Sequence, residues 1–77
     1  MKVAKINGNR DRMDVHFEDG RVARFVGEML ADGFVAFVSS LKKWQDGKPI
    51  TDEEKREIID AIKERQKISK VKIYLED

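Results

Sequence analysis

The chain has no cysteine, a single proline, a single histidine and a single tryptophan. Without cysteine, neither disulfides nor thiolate-bound metal can brace the fold, and an oxidising compartment is not implied. Stability must come from an apolar core. The longest unbroken apolar run is Phe34 to Val38, far short of the roughly 20 residues that a membrane-spanning helix needs. The opening MKVAKINGNR soon turns polar and has no targeting pattern. A soluble cytoplasmic protein without membrane association is the expectation. An excess of one charge is lacking as well. Sixteen Lys and Arg face fifteen Asp and Glu, whereas a general polyanion binder shows a basic excess.

What is present suits one domain over residues 1–77. A chain this short buries roughly 60% of the surface it exposes when unfolded, which leaves little room for a large enzyme cleft. Lys2 to Ile6 is a short strand, closed by an Asn7-Gly8-Asn9 turn. From Met13 to Glu18, apolar Met13, Val15 and Phe17 alternate with polar Asp14, His16 and Glu18, the period of a half-buried strand.

Asp19-Gly20 then opens a hairpin into Arg21 to Val26, and the side chains choose its register. A two-residue loop would place Arg24 on the apolar face. A three-residue loop with Gly20 as a left-handed bulge pairs Val15 with Ala23, Met13 with Phe25 and Asp14 with Arg24, and keeps the core face apolar. Phe34 to Val38 is apolar on both faces and too short for a buried helix, so a central strand covered on both sides is expected. Ser39-Ser40 reads as a turn or bulge, and Leu41 to Trp44 as a shorter edge strand guarded by Lys42 and Lys43.

After a polar loop, Thr51 to Gln66 is the best-signalled helix. Thr51 with Glu54 makes a capping box, and Asp52, Glu53 and Glu54 place negative charge where the helix dipole favours it. Ile58, Ile59 and Ile62 share the face that should lie on the sheet. Val71 to Leu75 alternates again as a final strand, its neighbour and direction unreadable. The fold class is therefore α+β: a mostly antiparallel sheet of four to six strands with one amphipathic helix packed on one face, then a last strand.

Catalytic chemistry is not in view, and the chain reads as a non-enzyme that calls for neither cofactor nor metal. Asp14, His16 and Glu18 imitate a metal or acid/base set, but alternation alone creates such triplets on a solvent face. Ser39 and Ser40 lack both a nearby base and a nucleophile elbow. Glu53, Glu54, Glu57 and Asp60 lie in or near the exposed first turns of the helix, where a solvated carboxyl makes a poor general acid. Lys42-Lys43-Trp44 sets two cations beside a stacking ring, yet no basic stripe accompanies it. Trp44 itself reads as core or core edge, with an interface anchor as the other option.

One stretch carries a resemblance. Gly27-Glu28-Met29-Leu30, Gly33-Phe34, Ser40-Leu41-Lys42-Lys43-Trp44 and Pro49-Ile50-Thr51 with the acidic helix start resemble the immunity protein 74 family, over Gly27 to about Ile62. That family is characterised by a tryptophan, which Trp44 would match. The chain departs from the pattern in the loop after it, Gln45-Asp46-Gly47-Lys48.

The resemblance implies a bacterial cytoplasmic protein of a polymorphic toxin system, contact-dependent growth inhibition or related. Such a protein binds a cognate toxin domain one to one and blocks it. Partner-binding candidates are Glu28, Lys42, Lys43, Trp44, Asp46, Glu53, Glu57 and Asp60. Against a nuclease toxin, Glu28, Asp46, Glu53, Glu57 and Asp60 would face a basic active-site surface. The alternative is a small nucleic-acid-associated or regulatory domain that uses the outer sheet face around Arg12, Arg21, Arg24, Lys42 and Lys43.

Overall fold

The structure, a computed structural model, describes residues 1–68 and 72–76. Its elements are β1 (Val3–Gly8), β2 (Arg12–Phe17), β3 (Val22–Met29), β4 (Gly33–Phe37), a single 3-10 turn (Val38–Ser40), α1 (Asp52–Gln66) and β5 (Lys72–Glu76). The strands form one sheet in the order β1-β2-β3-β4-β5. The first four are joined by short turns and run antiparallel, whereas β5 pairs in parallel with β4. The connection from β4 to β5 is long and contains α1, which is what parallel neighbours require. The α+β class expected from the sequence is the one observed.

The hairpin takes the register that keeps its core face apolar. Val15 opposes Ala23, Met13 opposes Phe25 and Asp14 opposes Arg24. Gly20 stands at φ 93°, and the Phe17 N–H donates to the Arg21 carbonyl at 2.9 Å. Only the left-handed conformation, cheap for glycine, closes this three-residue loop. The helix also follows its sequence signals. Thr51 is the N-cap, and both halves of the capping box with Glu54 are formed. Ile58, Ala61 and Ile62 are buried, while Ile59 is half-buried. Ile58, Ala61 and Ile62, but not Ile59, join Val3, Met13, Val15, Phe17, Ala23, Phe25, Phe34, Ala36, Leu41 and Trp44 in one core on the inner face of the sheet.

Three expectations are corrected. Asn7 and Gly8 remain in β1, and the turn falls at 9–11, where Asn9 Oδ1 accepts the Asp11 and Arg12 N–H groups at 3.3 and 3.1 Å. The short Asn side chain supplies the turn's acceptor one step later than composition suggested. Leu41 to Trp44 is not a strand. The 3-10 turn lifts the chain off β4, and only isolated bridges follow, Ala23 with Trp44 and Lys43 with Pro49. Ser40 makes this break tolerable, since its hydroxyl donates to the Phe37 carbonyl and accepts the Val26 N–H.

Third, the Phe34-to-Val38 segment is covered on one face only. Phe34 and Ala36 are buried on the inner face, while Val35 and Phe37 on the outer face are half-buried, with no helix or second sheet above them among the described residues. It is interior to the sheet, but β3 is the middle strand. The expected final strand is present over Lys72–Glu76, and Val71, where it was expected to begin, lies outside the described residues.

Candidate functional site

The inward stripe of α1 runs Glu54, Ile58, Ala61 and Arg65, at i, i+4, i+7 and i+11, the spacing of one helix face. Its middle is buried and apolar, and a charged residue stands at each end. The two charged ends are treated very differently by the sheet beneath.

At the Glu54 end the site is closed. Trp44, only 5% exposed, packs edge-on against Phe17 with ring centroids 5.9 Å apart. Its indole N–H donates to Glu54 Oε2 at 3.3 Å, and Arg21 Nη1 donates to the same oxygen at 3.1 Å. The Arg21 guanidinium also lies 4.4 Å from the Trp44 ring centroid, a cation–π placement, and its Nε reaches Asp19 at 2.8 Å. The other Glu54 oxygen accepts the Thr51 N–H at 3.0 Å, while Thr51 Oγ1 accepts the Glu54 N–H at 3.1 Å. The Thr51 backbone donor foremost, then the Trp44 indole, the Thr51 hydroxyl and the Arg21 charge, hold the Glu54 carboxyl below the usual glutamate range. This cluster joins hairpin, loop and helix start.

At the Arg65 end the site is open. A groove of about 310 Å³ lies on the inner face, lined by Ile6, Met13, Met29, Phe34 and Ile73 with Arg65 at its edge. Met29 is 54% exposed although it stands on the same side of the sheet as buried Phe34, its partner across β3 and β4. Gly8 and Gly33 complete its lining, and two residues before Met29 on β3 only glycine fits at Gly27, since a Cβ there would overlap the Val35 carbonyl oxygen and the Phe34 ring. Arg65 makes no ion pair among the described residues. It also borders a shallower hollow with Lys2, Glu18 and Glu64.

The residues singled out from the sequence are distributed over several surfaces. Glu53, Glu57 and Asp60 form one exposed stripe of α1, on the side of the sheet opposite Glu28, which sits beside Val35 on the outer face. Lys42 and Asp46 are exposed in the 41–50 loop. Lys43 opens onto the outer face near Val22, Arg24 and Asp14. Trp44 is in the core. The cations of the alternative reading do not form a free stripe, because Arg21 is stacked and paired, and Arg24 is held by Asp14 at 2.7 and 3.2 Å. Arg24 in turn lowers the Asp14 pKa, chiefly through that hydrogen bond. The apparent Asp14-His16-Glu18 set is dispersed: Asp14 serves Arg24, His16 lies against Asn7 at 3.4 Å, and Glu18 has left the strand for the hairpin loop.

Reasoning from the sequence missed two features. The Arg21–Glu54–Trp44 contact joins residues far apart in the chain and leaves no local signal. Arg65 did leave one, since a charge at i+7 from Ile58 and i+3 from Ile62 interrupts the apolar stripe.

No helix among the described residues is long and apolar enough to cross a membrane. No curated protein and no solved structure matches the chain. A family model described as Immunity protein 74 matches residues 5–76, extending the likeness of the central stretch to both ends. With nearly the whole chain matched, the protein belongs to the immunity protein 74 family.

Proposed function

We propose that the chain is a bacterial cytoplasmic immunity protein that neutralises the toxin domain of a polymorphic toxin system, contact-dependent growth inhibition or a related one, by one-to-one binding without catalysis. The observation that carries this is the family match over residues 5–76. The architecture suits the task. A stoichiometric inhibitor needs a stable scaffold and a complementary surface, and the closed Trp44 end supplies rigidity without placing reactive groups in a cleft.

The exposed stripe of Glu53, Glu57 and Asp60 suits a basic toxin surface such as that of a nuclease. Reversing all three to Lys is expected to weaken binding and flatten its salt dependence. Unchanged affinity removes that stripe from the interface. The broader test is protection. The toxin domain encoded beside this gene is induced in a bacterial host with and without the chain, and growth is followed. Rescue together with a one-to-one complex by light scattering is expected. Growth arrest despite soluble, folded chain would sink the proposal.

A further inference from the structure

The helix stripe that covers the core ends in an arginine, and the sheet below it keeps an apolar groove open at the same place. Each half of that arrangement is unfavourable for the isolated chain. An apolar residue at position 65 would extend the core over Phe34 and Ile73, and a half-buried cation on an apolar face is ordinarily paired. At the opposite end of the same stripe, Glu54 is held by three partners. Met29, at 54% exposure, and Leu30, at 40%, continue the apolar surface outward from the groove to the β3–β4 turn.

We propose that this groove is the anchor site for the cognate toxin, resting on the function proposed above. The occupant is an apolar side chain of the toxin that fills the space between Met29, Phe34 and Ile73. An adjacent toxin carboxylate is gripped by Arg65. The charge of the groove chooses the chemistry: among the described residues its only charged lining residue is a cation, so an anionic group complements it, and a guanidinium binds a carboxylate through two parallel hydrogen bonds. The volume, about 310 Å³, lies at the small end of binding pockets, which suits an anchoring side chain in an otherwise broader interface. Glu53, Glu57 and Asp60 lie on a different stripe of the helix, so the two surfaces can be separated by mutation.

The test titrates the purified chain with the neighbouring gene's toxin domain, carried as a catalytically inactive variant. Met29→Ser, Met29→Lys, Arg65→Glu and Arg65→Lys are compared with the triple Lys reversal of Glu53, Glu57 and Asp60, and thermal unfolding checks that each is folded. Arg65→Glu and Met29→Lys are expected to weaken binding about 30-fold or more, as for hot-spot positions. Arg65→Lys is expected to lose less, because it keeps the charge and forfeits only the fork.

Wild-type binding that survives in Arg65→Glu and both Met29 variants overturns the groove and leaves the immunity function standing. Absence of wild-type binding overturns both. Two further results overturn the proposed occupant: a concentration-dependent dimer dissolved by Met29→Lys, which assigns the groove to a second copy, or decanoate binding at Met29 and Arg65 with toxin affinity unchanged by the variants, which assigns it to a small amphiphile.

Discussion

The two ends of the α1 inward stripe differ in how they handle one charged residue each. At the Glu54 end an indole N–H, a guanidinium and the helix cap converge on the carboxylate, and an aromatic pair seals the space below. At the Arg65 end the guanidinium stands beside an apolar groove and no ion pair forms among the described residues. A charge on a core-facing position is costly unless its partners are supplied. The fold supplies them at one end and withholds them at the other. The closed end therefore serves stability, and the open end is where a partner has something to gain.

That contrast is most directly broken at Trp44. Trp44→Ala should cost about 3–5 kcal/mol in urea unfolding, as for a fully buried ring. A near-neutral result would remove the distinction between the ends. Thr51→Ala should cost about 1 kcal/mol, since it removes the cap that fixes Glu54 in place. Arg65→Leu, by contrast, should stabilise by about 0.5–2 kcal/mol, because it replaces a charge that has no ion-pair partner among the described residues with an apolar side chain over an apolar groove. Destabilisation would show that Arg65 has structural work at the groove. The same variant should lose toxin binding.

The pH dependence sharpens the comparison further. The Glu54 carboxyl binds its proton less tightly in the folded chain than in the unfolded one. Its stabilisation is thus fully present above the ordinary glutamate range and is lost as pH falls through the lower folded value. Asp14 and Asp19 are lowered too and act with the same sign. Stability measured by denaturant titration from pH 6 downward should fall below about pH 5, and Glu54→Gln should flatten that fall. Arg65→Leu should leave the profile of the acid limb unchanged in shape. A profile indifferent to Glu54→Gln would mean that the carboxylate at the closed end is a bystander.

Much of the fold was legible because it is written in local terms. Strict alternation across Met13, Val15 and Phe17, with Gly20 at the bend, admits a single register that buries no charge, and that register is observed. Thr51 and Glu54 announce the helix start through hydrogen bonds within one turn. Leu41 to Trp44 misled because an apolar residue spaced three from another suits either a strand edge or a coil whose side chains enter the core. The 3-10 turn at Val38–Ser40 decided for the latter. The doubly apolar β4 pattern also misled. Composition marks a surface as apolar without saying whether the same chain covers it, and here one helix covers one face.

The candidate site was less legible than the fold. Glu53, Glu57 and Asp60 can be placed on one exposed stripe by counting along the helix, but their separation from Glu28 by the sheet depends on which face the helix chooses. Trp44 was recognisable as the ring of the family motif, and its burial matches the core reading. That it clasps Glu54 beside Arg21 depends on a hairpin bringing distant residues together.

By itself the sequence determined the α+β class, the hairpin register, the capped helix and the family, because alternation, turn chemistry, capping and motif are properties of neighbours in the chain. Only the tertiary structure decided that β5 joins β4 in parallel, that Trp44 turns inward, and that the two charges on one helix stripe meet opposite fates. Those outcomes depend on contacts between segments remote in sequence, where burial and pairing are set by what the folded sheet places underneath.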